Sequence, residues 1–320
     1  MSSRSNSAIL PTRAWQYHTW FLFVLVYIIM CAFIPTLFSG VTLLNVAIQG
    51  TTVTLLAIGM AFVMLVGEID LSNAAIAAFA PMMAALAIEK VDLPVPLALL
   101  LMVLIGVGIG AFNGLLITRV KVPSLVQTIT TQWMLLGILL FITRGHAKTG
   151  LPKAWMWPGR AFVGPLPVLF FLFVAIVVFA VFFATRTVTG KRIYLVGGSR
   201  EACRAMGIPV DKVITISFIL SGLFATLAGY LLSTRMGFIS PKFASEWLMP
   251  AIAAPVIAGV SLTGGRGNLV NVVAGAYLVQ VIVIIVTAGG VGGYAYQFIQ
   301  GLLVFVALLV DVARKRFMKE

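Results

Sequence analysis

Charge is what this sequence has least of. Only 10% of its 320 residues are charged while 61% are hydrophobic, and the mean hydropathy is +1.10. Soluble domains are about 25% charged and about 45–50% apolar, so a fold with water on every side is excluded and lipid must be part of the solvent. Cysteine is nearly missing: Cys31 lies inside the first apolar run and Cys203 in a basic loop, which excludes a disulfide framework or a metal cluster. His18 and His146 each stand alone, so no metal-ligand set or nucleophile–base pair can be assembled. A phosphate-binding loop is lacking too. Gly190-Lys191 has no upstream Gly and no following Ser or Thr, and the spaced glycines of 259–266 have no Lys. The nine acids lie at or beyond the ends of apolar runs, leaving only Glu68 and Asp70 as candidates for ion coupling. No cofactor and no enzyme activity of the chain's own are expected.

What is present is a succession of apolar runs near 19–38, 43–66, 72–88, 95–118, 122–142, 162–184, 213–232, 249–264, 267–287 and 295–311. At about 20 residues per span these predict an all-α membrane protein of about ten transmembrane helices in a single permease domain, 1–320. The first run is too long for a cleaved signal core and lacks a small-residue cleavage site, so it reads as a retained span. With the N-terminus inside, the inner segments hold 15 of the 22 basic residues, from Arg4 and Arg13 through Arg119, Lys121, Arg186, Arg200 and Lys212 to Arg266 and Lys319. The positive-inside rule therefore places both termini, 1–18 and 312–320, in the cytoplasm, together with the long loop 185–212. It also accounts for the net charge of +13 without nucleic acid. The outer segment 144–160 carries four basic residues and no acid, beside Trp155 and Trp157. It reads either as an aromatic belt at the interface or as a docking surface for an acidic partner.

The spans carry neutral polarity in stripes. Asn45, Gln49 and Thr52 share one helical face, as do Ser124, Gln127 and Thr131; Gln280, Gln297 and Gln300 add amides late in the chain. Donors and acceptors without charge suit a polyhydroxylated neutral solute, so Asn45, Gln49, Thr52, Gln127, Thr131 and Gln297 are candidate pathway residues. Interhelical hydrogen bonding is the competing explanation. Small residues four apart, Gly106, Gly110 and Gly114 and again Ser221, Ala225 and Gly229, mark helix-packing seams. Two spans are broken: one by Gly67-Glu68-Ile69-Asp70-Leu71-Ser72, the other by Thr263-Gly264-Gly265-Arg266-Gly267-Asn268. The stretches 66–72 and 258–263 are loosely alike, and short glycine-broken segments at matching places in two halves point to a pathway between repeats. Gly67, Asp70, Ser72, Gly264 and Gly265 are the candidate gating residues, with Asp70 expected to cap a helix.

In the loop 185–212, Ser199 can N-cap a short helix, Glu201 sits in its first turn, and Gly207 with Pro209 stops it. So short a helix persists only by docking, and Ala202, Ala205 and Met206 offer an apolar face for that.

With these motifs in order, the chain resembles the sugar-type permease subunit of an ATP-binding-cassette importer, the family of ribose, xylose, arabinose and autoinducer-2 permeases. The resemblance covers nearly everything after residue 40. It rests on 67–72, on Asn113-Gly114-Leu115-Leu116-Ile117 with Lys121-Val122-Pro123-Ser124, on Thr189-Gly190 through Gly207-Ile208, and on Ala251-Ile252-Ala253-Ala254 running to Gly264-Gly265. It implies a transmembrane permease dimer in the bacterial inner membrane, the second subunit identical or paralogous, surrounded by lipid. It also implies cytoplasmic ATP-binding subunits that dock on Ser199–Gly207 with Glu201 and Arg204 at the rim, and a periplasmic binding protein that delivers the solute. The chain departs from the pattern at Asn73-Ala74, at Ile129-Thr130 and at Ala258-Gly259. Two rival readings stay open: a branched-chain amino acid or nucleoside permease of the same broad type, and a gradient-driven carrier using Glu68 and Asp70.

Overall fold

The computed structural model describes residues 18–33 and 38–288, and beyond them Phe298, Gly301, Leu302, Phe305 and Leu309. Gln297, Gln300 and both terminal tails lie outside the described residues, as does most of the expected span 295–311. The described chain is helical apart from a two-residue hairpin, Phe162–Val163 (β1) with Leu166–Pro167 (β2), and one isolated bridge between Lys148 and Ile239.

Among the described residues six helices are long and apolar enough to cross a membrane: α2 (Gly40–Leu65), α3 (Asn73–Val91), α4 (Val95–Leu115, extended by a π turn over Leu116–Val120), α5 (Ser124–Thr143), α7 (Val168–Arg186) and α10 (Val210–Met236). Shorter apolar helices are α1 (His18–Phe33), α12 (Leu248–Ile257) and α13 (Leu269–Ala288). The connections hold α6 (Lys153–Arg160), α8 (Val188–Gly198), α9 (Arg200–Ala205) and α11 (Phe243–Glu246). Two expected spans are corrected. The run 162–184 opens with the hairpin, so its helix starts at Val168, where the chain has left Pro165 and Pro167. The run 249–264 is helical only through Ile257.

Helices α2 and α10 form the centre. Of their most apolar windows, 83% and 67% are buried, against 22–28% for α4, α5 and α7, whose apolar faces lie on the outside of the bundle. Helix α10 carries Gly222, Ala225, Ala228 and Gly229 along its length, so neighbouring backbones approach closely. A methyl group added at Gly222 would strike the Gly106 carbonyl, one at Gly110 the Phe218 carbonyl, and one at Gly229 the Ala77 carbonyl. Both glycine seams expected from spacing are thus real, and they join α4 and α3 to the same central helix. Buried hydroxyls on the central helices bond back to their own backbone, Thr54 to the Gly50 carbonyl and Thr226 to the Gly222 carbonyl, so that neither is left unpaired in an apolar setting. Trp155 of α6 is corrected from interfacial belt to core: it is fully buried, stands edge-on to Tyr230 and donates to Ser233 Oγ at 2.9 Å, while Trp157 is exposed.

The ends of α2, α4 and α7, helices α8 and α9, the start of α10 and the loop 258–268 form one end of the bundle, which carries Arg119, Lys121, Arg186, Lys191, Arg192, Arg200, Arg204, Lys212 and Arg266. This is called the basic end below.

The seam generates a graded prediction. Gly110→Leu should lower the thermal stability of the detergent-purified protein by at least the 1–3 kcal/mol or so typical of overpacking. Gly108→Leu, at a position with open space around it, should leave the melting temperature unchanged. Equal losses in both would reject the seam.

Candidate translocation and coupling site

Three helix ends at the basic end are built alike. In α2 the Gly67 N–H bonds the Met64 carbonyl at 2.9 Å and the Glu68 N–H bonds the Val63 carbonyl at 3.1 Å. In α12 the Gly259 N–H bonds Val256 and the Val260 N–H bonds Pro255, both at 2.9 Å. In α9 the Gly207 N–H bonds Arg204 at 3.0 Å and the Ile208 N–H bonds Cys203 at 2.9 Å. Each is the paired-bond helix stop that needs a left-handed residue, and Gly67, Gly259 and Gly207 have φ of 78°, 81° and 72°. The loose likeness of 66–72 to 258–263 therefore has a physical content: α2 and α12 stop in the same way.

Beyond these stops, three glycine segments meet backbone to backbone. The Gly265 N–H donates to the Leu65 carbonyl at 2.9 Å. A methyl group at Gly197 would strike that same carbonyl and the Gly265 nitrogen. One at Gly264 would lie 2.8 Å from Gly67 N and 2.9 Å from Gly197 Cα. Gly264 and Gly265 hold φ of 89° and 74°, so any side chain is excluded twice, by conformation and by space. The two helix breaks and the loop helix α8 thus share one junction, with Arg200 pinning it. Its Nη2 donates to the Val66 carbonyl at 2.8 Å and to Glu68 Oε1 at 2.7 Å, a half-buried ion pair. Glu68 is therefore the partner of Arg200.

Asp70 turns back into the bundle and is fully buried. It accepts a backbone N–H just ahead of α3 and is in addition an interhelical tie. Helix α3 begins after Ser72, and Asp70 accepts three bonds: from the Ser72 N–H at 3.0 Å and the Ser72 hydroxyl at 2.5 Å on Oδ1, and from the Ser221 hydroxyl of α10 at 2.7 Å on Oδ2. These donors are themselves supplied. Ser72 Oγ accepts from Asn113 Nδ2 of α4, and Ser221 Oγ from Asn73 Nδ2, each at 2.9 Å. Asn113 Oδ1 in turn accepts from Thr131 Oγ1 at 2.7 Å and Gln127 Nε2 at 3.2 Å, both on α5. The side-chain bonds run to the carboxyl by two arms, from α5 through Asn113 and Ser72 and from Asn73 through Ser221, and together they offset the burial of its charge. Four elements, α3, α4, α5 and α10, converge on this one side chain. Asn73, where the chain departs from the family pattern, supplies one of the two converging arms.

The two polar stripes have separate places. Gln127 and Thr131 belong to the Asp70 network. Gln49 accepts from Gln280 Nε2 of α13 at 3.1 Å, and the pair lines a cavity of about 160 Å³ at the opposite end of α10, with Arg235, Glu246 and Trp247. Thr52 is buried in α2, and Asn45 is exposed near the start of that helix. At the basic end, Ser199 accepts the Ala202 N–H at 3.2 Å and caps α9; Cys203 is buried and anchors the helix, while Glu201, Ala202, Arg204, Ala205 and Met206 are all exposed. Sequence reasoning missed the junction partner Gly197, the clamp formed by Arg200, and the roles of Ser221 and Asn113. Gly197-Gly198 and a serine within a packing seam were the signals available.

Helices that cross the membrane, two matching breaks and a bared loop helix tied to them define a multi-pass membrane protein of the transport class. The chain belongs to the family described as the branched-chain amino acid transport system / permease component, whose model matches residues 42–308. It is similar to the ribose import permease protein RbsC of Bacillus subtilis, 34% identical over 91% of this chain and 90% of that one. It is also similar to the autoinducer 2 import system permease protein LsrC of Klebsiella pneumoniae, 31% identical over 92% and 86%, and to RbsC of Escherichia coli, 29% identical over 94% and 95%. No solved structure matches the chain significantly.

The network predicts an asymmetric response at Asp70. Asp70→Leu strands three donors, at about 1–3 kcal/mol each, and should abolish folded, monodisperse protein on size exclusion. Asp70→Asn keeps one acceptor oxygen, and a facing hydroxyl can turn to accept from the new amide, so most of the folded yield should survive. Equal yields of the two variants would contradict the network's structural role.

Proposed function

We propose that the chain is the membrane-spanning permease subunit of an ATP-driven, binding-protein-dependent importer for a sugar or sugar-like polar solute. It crosses the bacterial inner membrane about ten times with both termini in the cytoplasm, which makes the basic end cytoplasmic, and 1–320 forms one permease domain. The chain itself performs no catalysis; ATP is hydrolysed on separate cytoplasmic subunits, a periplasmic protein delivers the solute, and a second permease subunit completes the pathway.

The observation that carries this reading is the clamp of Arg200 across to Val66 and Glu68. A loop helix with an exposed small-residue face is a docking element, and here the docking element is bonded directly to the break of a central helix. Force applied at α9 by an ATPase therefore arrives at Gly67–Ser72 without passing through a flexible linker, and from there at α10 through Asp70. Gly67, Asp70, Ser72, Gly264 and Gly265 become gating residues because they lie in the two helix breaks, after α2 and after α12. Ser199 and Gly207 fix the two ends of the coupling helix, and Glu201, Ala202, Arg204, Ala205 and Met206 form its contact surface.

The solute enters from the other end. Gln49 and Gln280 present amide groups to the cavity there, Trp247 offers a face for sugar C–H groups, and Asn45 and Thr52 extend the stripe along α2. Gln297 belongs to the same proposed pathway. Gln127 and Thr131 act on the gate through Asn113. The named relatives import ribose and autoinducer 2, so ribose is the first solute to test. The gradient-driven rival is weakened by the partners of its two acids, since Glu68 is held by Arg200 and Asp70 by three donors.

Three measurements check this. Uptake in energised vesicles should continue when the proton gradient is collapsed and stop when ATP is exhausted; the reverse would establish a carrier. Ala205→Glu and Gly207→Val should leave the permease inserted but cut co-purification of its ATPase and uptake at least tenfold, whereas wild-type values in both would remove α9 from coupling. Cysteines at 45, 49 and 52 should react with aqueous thiol reagents faster than cysteines at lipid-facing positions on α4, and equal rates would remove the stripe from the pathway.

A further inference from the structure

An open cavity lies away from both the proposed pathway and the Asp70 network, bordering the exit of the coupling helix α9. It measures about 780 Å³ and sits at the basic end, between the last turns of α4, the first turns of α10 and the exit from α9. Its rim carries Arg119, Arg204 and Lys212, with a single acid, Asp211. Asp211 is already spoken for by Lys121, whose Nζ is 3.6 Å from Oδ2, so the rim as a whole is strongly positive. Its inner wall is the opposite in character, formed by Leu115, Ile216 and Ile219.

That wall opens onto the side of the bundle. Leu115 is 45% exposed, and Phe112 and Val120 of the same helix are 51% and 61% exposed, although α4 has the composition of a membrane span. The cavity is therefore open to hydrocarbon along one side and cationic at its mouth. Leu115 and Arg119, four residues apart on one face of the helix, both line the cavity, one in the wall and one in the rim.

We propose that this cavity is a binding site for an anionic phospholipid, its phosphate held by Arg119 and Lys212 and its acyl chains laid against Leu115, Ile216 and Ile219, with Arg204 of the coupling helix only bordering the mouth. Basic pockets between transmembrane helices at a membrane face recognise such headgroups by this combination of charge and apolar depth. An acidic segment of a partner protein would satisfy the rim and leave the apolar wall facing bilayer, so the amphipathic ligand fits both surfaces and the peptide only one. A free phosphate likewise satisfies only the rim. Because Arg119 belongs to the end of α4 and Lys212 to α10, a bound headgroup bridges those two helices beside α9.

The test uses the full-length permease purified in a mild zwitterionic detergent. Phosphatidylglycerol added to it should raise the melting temperature well above the value given by phosphatidylcholine, and native mass spectrometry should show phosphatidylglycerol retained on the protein. The double variant Arg119→Gln, Lys212→Gln changes two exposed side chains and should lose at least half of the phosphatidylglycerol-specific shift and most of the retained lipid. Arg119→Lys with Lys212→Arg should keep both. Lys191→Gln with Arg192→Gln, elsewhere on the basic end, should also behave as wild type. Equal shifts from the two lipids, or a full shift in the double glutamine variant, would overturn the proposal. So would an equal shift from inorganic phosphate alone, which would make the site one for a free anion. Unchanged lipid retention with loss of ATPase co-purification in the double glutamine variant would reassign the rim to a protein contact.

Discussion

Three stretches of backbone meet at the basic end with no room for a side chain between them, and the arrangement of the rest depends on that contact. Gly67, Gly197 and Gly264 are brought together because α2, α8 and the loop after α12 must all end at one place. The Gly265 N–H to Leu65 carbonyl bond holds the contact closed. A carbonyl freed at a helix terminus in a membrane protein must find a donor, and here the donor comes from the other broken segment. The two breaks are therefore parts of a single object, with the loop helix attached to it.

From that object two lines of bonds lead away. One runs outward through Arg200 to α9, whose contact face is exposed among the described residues. The other runs inward through Asp70 to α10 and, by way of Ser72 and Asn113, to α5. Helix α10 is locked to α4 by the glycine seam, so a shift of the Gly67–Ser72 segment cannot be absorbed locally; it must displace α10 against α4 or break the bonds to Asp70. Packed cores and close backbone contacts switch between arrangements and do not deform smoothly. A permease built on them would move its helices as blocks.

Much of this was legible in the sequence, and the part that was not has a definite character. Periodicity and length gave helices over α2, α3, α4, α5 and α10 within a few residues, because a membrane span declares itself through composition alone. The stop at Gly67 and the cap at Ser199 were readable because each is decided within four residues. The small-residue seams were readable because spacing puts them on one face. What a linear pattern could not supply was pairing. Nothing local says that Gly197 faces Gly264, that Arg200 reaches Glu68 across more than a hundred residues of chain, or that Ser221, counted as a small residue in a seam, donates to Asp70. The polar stripes show the same limit: Gln127 and Gln49 look equivalent in sequence, yet one braces an interhelical network and the other lines a cavity. Trp155 was misplaced because a tryptophan beside basic residues suits an interface and a core equally until its partner, Ser233, is known.

The central claim is that the loop helix and the helix break act as one unit through Arg200 and Glu68. A double-mutant cycle on solute-stimulated ATP hydrolysis by the reconstituted importer tests it most directly, using Arg200→Ala, Glu68→Ala and the pair together. If the two residues work through each other, each single variant should reduce stimulation by a similar factor and the pair should be little worse than either alone. If the losses multiply instead, the ion pair plays no part in transmission and α9 must reach the pathway by another route.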